Sequence, residues 1–427
     1  MSSKNNNLDI PENAKISQEI VKLLDEKDPL ATQADKFKLP KDLIYLDGNS
    51  LGAMPKSVPS YVEDALLDGW STQLIRSWNN KGWHNLPFTL ADRLAPIMGA
   101  KKGEVLLVDS TSLNLFKTLV AALKMRADRV NIISDKTNFP SDIHIIQGVL
   151  DNFFPDKKLK LSGSSDEETI SLIDSKTAVV TLTHVDYKTG KIRDMQKITK
   201  AAHDNGALII WDLSHSVGAL PIDLNHCEVD FAVGCSYKYL NGGHGAPAYL
   251  FVAQRHLEES QNTLTGWMGH ASPFGFDINY EPSKTIEKFR CGTPAILSYL
   301  ALEKSLDIFE TIDFGQLRKK SQNLTQLFMQ LIEENCSDYG IKIITPRDPE
   351  IRGSQVSVTN ENSWEIMQAL IEHNVVGDFR APNIMRFGFT PLYTSYENVW
   401  NAVKILQKIL DTGIWKEEKY ATRKLVT

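Results

Sequence analysis

Residues 206–245 read GALIIWDLSHSVGALPIDLNHCEVDFAVGCSYKYLNGGHG. Two apolar runs within them, Ala207–Trp211 and Val229–Val233, have the β-branched and aromatic content of buried strands. The first runs out into Asp212-Leu213-Ser214-His215. The second runs out into Cys235-Ser236-Tyr237-Lys238-Tyr239, and a glycine-rich turn, Asn241–Gly245, follows. A carboxylate leaving one strand and an amine leaving another is the pair that a pyridoxal-phosphate enzyme requires. The lysine forms a Schiff base with the aldehyde, and the carboxylate keeps the pyridine nitrogen protonated so that the ring accepts electrons. The plainer alternative is an aspartate capping a helix and a lysine in a solvated loop. Partial desolvation of Lys238 among Ser236, Tyr237 and Tyr239 would lower its pKa and make the amine nucleophilic.

The neighbouring segments repeat one pattern. Thr177–Thr183 is an apolar run followed by a polar loop, and a helix from Asp194 to Asn205 is capped by Asp194 and stopped by Asn205-Gly206. Upstream, the strand Glu104–Val108 turns through Asp109-Ser110-Thr111-Ser112 into a helix with Leu115, Phe116, Leu119 and Leu123 on one face. Hydroxyls at such a start can cap the helix or cradle a phosphate. No P-loop glycine pattern occurs, so a nucleotide is disfavoured. The strand Val130–Ser134 leads to Lys136–Asp142, where Phe139 could stack on an aromatic ring or plug the core. Strand, loop and helix alternating in this way predict a mostly parallel sheet, whose ligands gather outside the carboxyl ends of the strands. Ser112, Phe139, Thr183, Asp212, His215 and Lys238 all lie just there.

The remaining chain fits around this frame. Pro247–Val252 reads as the last strand of the large domain, Gly266–His270 as a loop, and Ala295–Ile308 as a helix with Thr293 at its start. Beyond Phe314, helices 317–334, 364–373 and 396–412 alternate with strands 341–344, 355–358, 375–378 and 385–389, as in a smaller α+β domain. The expected fold is therefore α/β: a large domain with a mostly parallel sheet wrapped by helices, plus a smaller α+β C-terminal domain. The expected boundaries are 1–50 for an N-terminal helix and entrance segment, 51–313 for the large domain and 314–427 for the small one. In the first of these, residues 1–10 are polar and loose, Ile16–Leu30 is an amphipathic helix, and Asp47–Ser50 has turn chemistry. A helical pattern over Val62–Trp70 precedes an aromatic loop, Ser77–His84, whose tryptophans suit either packing or a wall for an aromatic substrate.

Acidic residues (53) slightly outnumber basic ones (47), so no broad positive field invites nucleic acid. The four cysteines have no metal-ligand spacing and are too sparse for a disulfide framework; no metal site is expected. The first residues lack the apolar core of a secretory signal, no run reaches transmembrane length, and lipidation motifs are absent. A soluble, cytoplasmic protein is the expectation.

Seven segments occur in order: YLDGNSLG (45–52), NFPSD (138–142), WDLSHSVGALP (211–221), SYKYLNGGHGAP (236–247), GWMGH (266–270), FRCGTP (289–294) and DFRAPNIMRFGFTPLY (378–393). Together they resemble the kynureninase family, within the aspartate-aminotransferase-like pyridoxal-phosphate enzymes. The resemblance implies that Lys238 carries the cofactor and shuttles protons, that Asp212 pairs with the pyridine nitrogen, and that His215 sits beside the ring. Tyr237 would reach the phosphate and act as a general acid/base. Thr111, Ser112, Trp267 and Thr293 would hold the phosphate or its surroundings, Thr293 from a neighbouring subunit. Phe139 and Thr183 would bracket the ring, with Pro140, Ser141 and Asp142 at its edge.

On the substrate side the resemblance implies that Arg386 clamps the α-carboxylate, with Asn49, Ser50 and Trp78 as further contacts and the segment 45–52 as an entrance gate. The apolar neighbours Ile384, Met385 and Phe387–Phe389 argue against a surface arginine. The implied reaction is hydrolysis of L-kynurenine or its 3-hydroxy form to anthranilate, or 3-hydroxyanthranilate, and L-alanine by a homodimer. The loop Trp78–His84 resembles bacterial rather than animal members, which leaves the choice between the two substrates open. A cysteine desulfurase or selenocysteine lyase of the same fold is the alternative. It needs a nucleophilic thiol on a mobile loop, and Cys336, near the end of a predicted helix, is poorly placed to supply one. A non-catalytic binding protein is disfavoured by the intact set Asp212, Lys238 and Arg386.

Overall fold

The computed structural model describes Ile10 and residues 15–423. The polar stretch 1–9, expected to be loose, lies outside the described residues. The chain forms two compact units: one of Ser57–Asp186 and Arg193–Glu310, the other of Met1–Lys56, Tyr187–Ile192 and Thr311–Thr427.

The first unit carries a seven-stranded sheet. Its strands are β1 (Val105–Leu107), β2 (Asn131–Asp135), β3 (Lys158–Ser162), β4 (Thr177–Thr183), β5 (Leu208–Asp212), β6 (Phe231–Gly234) and β7 (Tyr249–Val252). They lie in the order β1-β7-β6-β5-β4-β2-β3. β7 is antiparallel to both its neighbours, and the pairs from β6 across to β3 are parallel. Residues of β4, β5 and β6 are buried at every position, as expected of strands covered on both faces. Helices Thr111–Met125 and Pro140–Phe153 supply the cover, packing Leu119, Leu123, Ile146 and Val149 against Ile132, Val179 and Ile210.

Two local readings differ from expectation. The edge strand β3 was not foreseen, because its Lys-Leu-Lys-Leu-Ser sequence is half-exposed and resembles solvated surface. The helical pattern near Val62–Trp70 resolves into an α-helix, Val58–Asp64, that continues as a π-helix over Ala65–Gln73. Sequence periodicity alone does not distinguish that wider winding.

The second unit holds an antiparallel sheet of β8 (Lys342–Ile343), β9 (Gln355–Thr359), β10 (Asp378–Arg380) and β11 (Ile384–Gly388), in the order β8-β9-β11-β10. Helices Phe314–Cys336 and Tyr396–Thr412 bury Leu324, Phe328, Val399 and Leu406 in one core with Val356 and Phe387. The single strand expected over 375–378 is split. Val375–Val376 pairs in parallel with Ile44–Tyr45, whereas Asp378 pairs with Arg386 across the β10–β11 hairpin.

The segment 45–52, expected as an entrance gate, is anchored in this unit, with Leu46, Gly48, Asn49 and Gly52 buried and Tyr45, Asp47, Ser50 and Leu51 partly covered. Leu46 and Asn49 are fully buried, Leu46 lies in the core, and the Gly388 N–H donates to the Leu46 carbonyl at 2.7 Å. A side chain on Gly388 would collide with Asn49, so only glycine admits this approach. Residues 1–50, read as a segment of their own, fall within the same unit as the C-terminal region.

At the amino end of β6, Asp230 is almost wholly buried. It accepts hydrogen bonds from His203 Nε2 (2.9 Å), His256 Nε2 (2.7 Å), Arg255 (2.6 Å) and the Ile209 N–H (2.8 Å). Burial alone would raise its pKa, but the histidine hydrogen bonds outweigh burial and hold the carboxyl well below the usual range. A depressed carboxyl pKa stabilises the fold above its unfolded value, near 4, and that stabilisation is lost as pH falls toward the folded value. Asp230→Ala should lower stability by about 3 kcal/mol, the usual cost of breaking a buried pair, read as a lower urea midpoint at pH 7. A midpoint unchanged by the substitution would show that the cluster holds nothing together.

Candidate active site

The parallel strands deliver their carboxyl ends to one edge of the sheet, and most of the expected cofactor residues follow those ends. After β1 the chain turns through Asp109, whose φ of 48° is left-handed. The buried Lys117 ammonium pairs with Asp109 and also donates to the Phe289 carbonyl at 2.7 Å. The N-cap of helix Thr111–Met125 is Ser110, whose Oγ accepts from the Leu113 N–H, rather than Thr111 or Ser112. Those two therefore occupy the first turn, where backbone N–H groups are uncommitted and the helix dipole favours an anion. Ser112 Oγ lies 3.0 Å from Ser141 Oγ, so the starts of two helices meet.

The helix Pro140–Phe153 begins directly after Phe139 and carries Asp142, buried, in its first turn. Burial, then the charge of Asp212 and the hydrogen bond between the two carboxyls, push the Asp142 pKa well up; the Lys238 charge opposes them. Two buried carboxyl groups thus face a single ammonium. Asp212, at the end of β5, accepts from the Ser214 N–H at 2.7 Å, and its carbonyl accepts from the His184 N–H at 2.9 Å. Thr183 Oγ1 donates to Asn138 Oδ1, which fixes the end of β4. His215 is buried on the turn after β5, and Phe139 keeps 42% of its surface exposed.

Beyond β6, Cys235 and Ser236 are buried while Lys238 is half-buried and Tyr237 more open. Lys238 Nζ stands 5.9 Å from the centre of the Tyr237 ring. Burial, then the Cys235 thiol and Asp212, raise the Tyr237 pKa, so the phenol keeps its proton at neutral pH. A heterocycle carrying a protonated nitrogen fits the Asp212 carboxylate, with Asp142 held toward its neutral form beside it. Its phosphate fits the Thr111–Ser112 turn.

Other expected residues lie in different surroundings. Trp78, in the short helix Ser77–Asn80, faces His84 at 6.4 Å between ring centres; His84 in turn meets Phe274 at 5.4 Å, and Phe274 meets Trp267 at 5.6 Å. Thr293 is exposed and does not cap its helix, Ile296–Phe309, whose N-cap is Ala295. It lines a cleft with Asp109, Gly245 and Ser298.

Arg386, Asn49 and Ser50 belong to the second unit. Arg386, at the centre of β11, is only 2% exposed. Its Nε donates to Asp378 at 2.6 Å, Nη2 donates to the other oxygen of the same carboxylate and to Ser50 Oγ (3.2 Å), and Nη1 donates to the Tyr187 carbonyl at 2.7 Å. Ser50 Oγ itself donates to Asp378 at 2.7 Å. Asn49 donates to Gln355 at 3.1 Å, and Gln355 donates to the Tyr187 carbonyl at 3.0 Å. Burial alone would raise the Asp378 pKa, but the Arg386 hydrogen bond and charge bring it below the usual range.

Asp378, Arg380, Tyr187 and Gln355 were not anticipated. A signal existed for Asp378: a short hairpin around Pro382-Asn383 sets it opposite Arg386 as a cross-strand pair. Nothing comparable marks Tyr187, which contributes through its backbone. Among the described residues, no group of three or more His, Cys, Asp or Glu could hold a metal ion.

The family model for the kynureninase C-terminal domain matches residues 317–406. Among solved structures, the cysteine desulfurase of Thermococcus onnurineus NA1 aligns with a TM-score of 0.75 at 18% identity, covering 93% of this chain and 99% of that one. A cysteine desulfurase of Escherichia coli aligns with a TM-score of 0.76 at 15% identity, covering 90% and 98%. At such identities the likeness is one of fold. In sequence, the chain is 45% identical to the kynureninase of Pseudomonas fluorescens over 408 residues, covering 95% of this chain and 98% of that protein. It is 46% identical to the kynureninase of Burkholderia pseudomallei (strain K96243), with the same coverage. Similarity of that degree along nearly the whole length of both proteins means that the chain belongs to the kynureninase family.

Proposed function

We propose that this protein hydrolyses the Cβ–Cγ bond of L-kynurenine or its 3-hydroxy form, releasing anthranilate or 3-hydroxyanthranilate and L-alanine, with pyridoxal phosphate as cofactor. The observation that carries the reading is the buried Asp142–Asp212 pair facing Lys238 at the carboxyl edge of a parallel sheet, in a chain nearly half identical to kynureninases. Pyridoxal phosphate, when bound, supplies the electron sink for the bond-breaking steps. Asp212 would hold its ring nitrogen, Thr111 and Ser112 its phosphate, and Lys238 its aldehyde carbon.

The chain's own groups then have definite tasks. Lys238, with its amine free, would take the proton from the substrate Cα as a general base. Arg386 would offer a guanidinium donor to the α-carboxylate, and its fork to Asp378 holds the planar group in one orientation. Tyr237, held protonated, can give a proton to the three-carbon fragment as it becomes alanine, while water adds to the aryl ketone. One water is consumed and no external oxidant is needed.

The desulfurase alternative requires a reactive thiolate. Cys336 is fully buried with its pKa pushed up to about 12 by burial, and burial likewise raises Cys235 and Cys227. None of these three is poised to attack sulfur. Thiols left free and buried also suit a reducing compartment, and we place the protein in the cytoplasm. Among the described residues, no helix is long and apolar enough to cross a membrane.

The partner we favour is a second copy of this chain. In the first unit, Leu67, Trp70, Leu74 and Ile75 are each at least 60% exposed, and Trp70 lines an apolar groove with Trp83, Pro294 and Leu297. Apolar surface of that kind marks an interface. Thr293 lines the same groove, which suits a site completed by the neighbouring subunit.

Reduction of the purified protein with borohydride should fix the cofactor on Lys238, as read by peptide mass, and Lys238→Ala should lose turnover. Label on a different lysine would remove this assignment. A variant with all four cysteines replaced by Ser or Ala should still release anthranilate. Arg386→Gln should lower kcat/KM about ten- to a hundred-fold, the loss expected for one charge-assisted pair. Sulfide released from cysteine faster than anthranilate from kynurenine would restore the desulfurase reading. Light scattering should give a dimer, and a Leu74→Asp, Ile75→Asp double variant should dissociate it and lose activity. A fully active monomer would contradict the shared site.

A further inference from the structure

In the second unit, two carboxyls and two guanidiniums converge around Arg386. Asp378 is matched twice over: Arg386 takes both its oxygens, and Arg380 approaches it at 2.7 Å. Asp47 is not matched in this way. Its side chain is partly covered, and its Oδ1 is closed off from solvent with no hydrogen-bond partner. Its backbone is pinned to Gly388 by a parallel bridge, which holds the residue beside β11.

The groups facing Asp47 come from every element around it. They are Tyr45 and Ser50 from its own segment, Asp378 and Arg380 from β10, Arg386 from β11 and Tyr393 from the turn that follows. Burial raises both phenols, Tyr393 to about 12, so they stay neutral near pH 7. Near neutrality the group among these whose charge changes is Asp47: its ionisation adds one negative charge beside the Arg386 and Arg380 guanidiniums, and its protonation removes it.

We propose that Asp47 sets the affinity of the Arg386 cluster for the substrate α-carboxylate, adding a negative charge beside the guanidinium when ionised and none when neutral. The inference rests on the reading of Arg386 as the carboxylate-binding residue. Burial, then the charge of Asp378, push the Asp47 carboxyl up to about 7, against the pull of Ser50 and the two arginines. An arriving carboxylate raises it further. Affinity is then constant below that pH, and above it binding takes up a proton and weakens by as much as about tenfold per pH unit.

The test uses the holoenzyme and 4-oxo-4-phenylbutanoate, an aryl ketone with the carboxylate but no amine, as a competitive inhibitor between pH 6 and 8.5. Its inhibition constant should be flat to about pH 7 and then rise several-fold per unit in the wild type. It should stay flat in Asp47→Asn. Titrations elsewhere in the enzyme would persist in the variant, so the difference between the two curves is the readout. Calorimetry of the wild type in buffers of different ionisation enthalpy gives the same answer without a variant: nearly one proton taken up at pH 8 and almost none at pH 6.

A wild-type curve that is flat, a rise that persists in Asp47→Asn, or no proton uptake at pH 8 would overturn the proposal. Arg386→Gln separates the two readings. If it leaves probe affinity unchanged, the carboxylate role of Arg386 fails. If it weakens the probe at both ends of the range while the wild type takes up no proton, only the role of Asp47 fails.

Discussion

A carboxylate removed from water costs several kcal/mol unless it finds positive charge or hydrogen-bond donors. Both units are organised by that constraint. In the first, Arg193 bridges Asp135 and Asp166, Lys117 meets Asp109, and Asp230 collects two histidines, an arginine and a backbone N–H. In the second, Lys320 matches Asp28 and two arginines match Asp378. Against this background the Asp142–Asp212 pair stands apart, because two carboxyls there share one ammonium. With the Asp142 carboxyl pushed toward its neutral form, Asp212 is left as the carboxylate that a cationic group from outside would meet, and a protonated pyridine nitrogen is such a group.

The sheet explains why that imbalance falls where it does. β2, β4, β5 and β6 run parallel and are buried at every position, with no charged side chain short of their last residues. Polar chemistry is therefore displaced to the strand ends, and the turns there gather residues distant in sequence. Asp142 and Asp212 are seventy positions apart but lie beyond strands separated only by β4. Helix starts at the same edge add uncommitted N–H groups, so the anionic and cationic ends of one ligand are recognised by backbone and side chain respectively. The antiparallel sheet of the second unit works differently. There a cross-strand pair, Asp378 and Arg386, fixes a guanidinium by direct opposition on adjacent strands.

How much of this the sequence discloses depends on the range of the interaction. The helix Tyr396–Thr412 and strand Thr177–Thr183 are legible to the residue, the first because Ser395 caps it and Gly413 ends it, the second because a run rich in β-branched residues is flanked by polar turns. The cap before Thr111 is not, because three hydroxyls in a row offer equivalent local solutions and packing chooses Ser110. The split of 375–378 depends on a partner more than three hundred residues away, Ile44–Tyr45, and no local pattern contains it. The segment 45–52 illustrates the same limit: Gly, Asn, Ser and Asp read as turn chemistry, yet Asn49 is buried and its amide nitrogen donates to Gln355. Lys238, Asp212 and Arg386 were visible as residues, whereas the groups that orient them, Asp142 and Ser50 excepted, were not.

The fold shared with cysteine desulfurases shows how little of the chemistry the architecture itself decides. A parallel sheet presenting an aspartate and a lysine suits many reactions that stabilise negative charge next to an amino group. What separates them is which nucleophile reaches the substrate beyond Cα. A thiol serves only as thiolate, and burial at Cys336 and Cys235 opposes ionisation. A phenol that keeps its proton, by contrast, is suited to donate one, and Tyr237 is such a group beside Lys238. Proton donors matched to water as nucleophile are the requirement of hydrolysis rather than of sulfur transfer. The selection between the two reactions therefore lies in the solvation of a few side chains, on a backbone that is nearly the same for both.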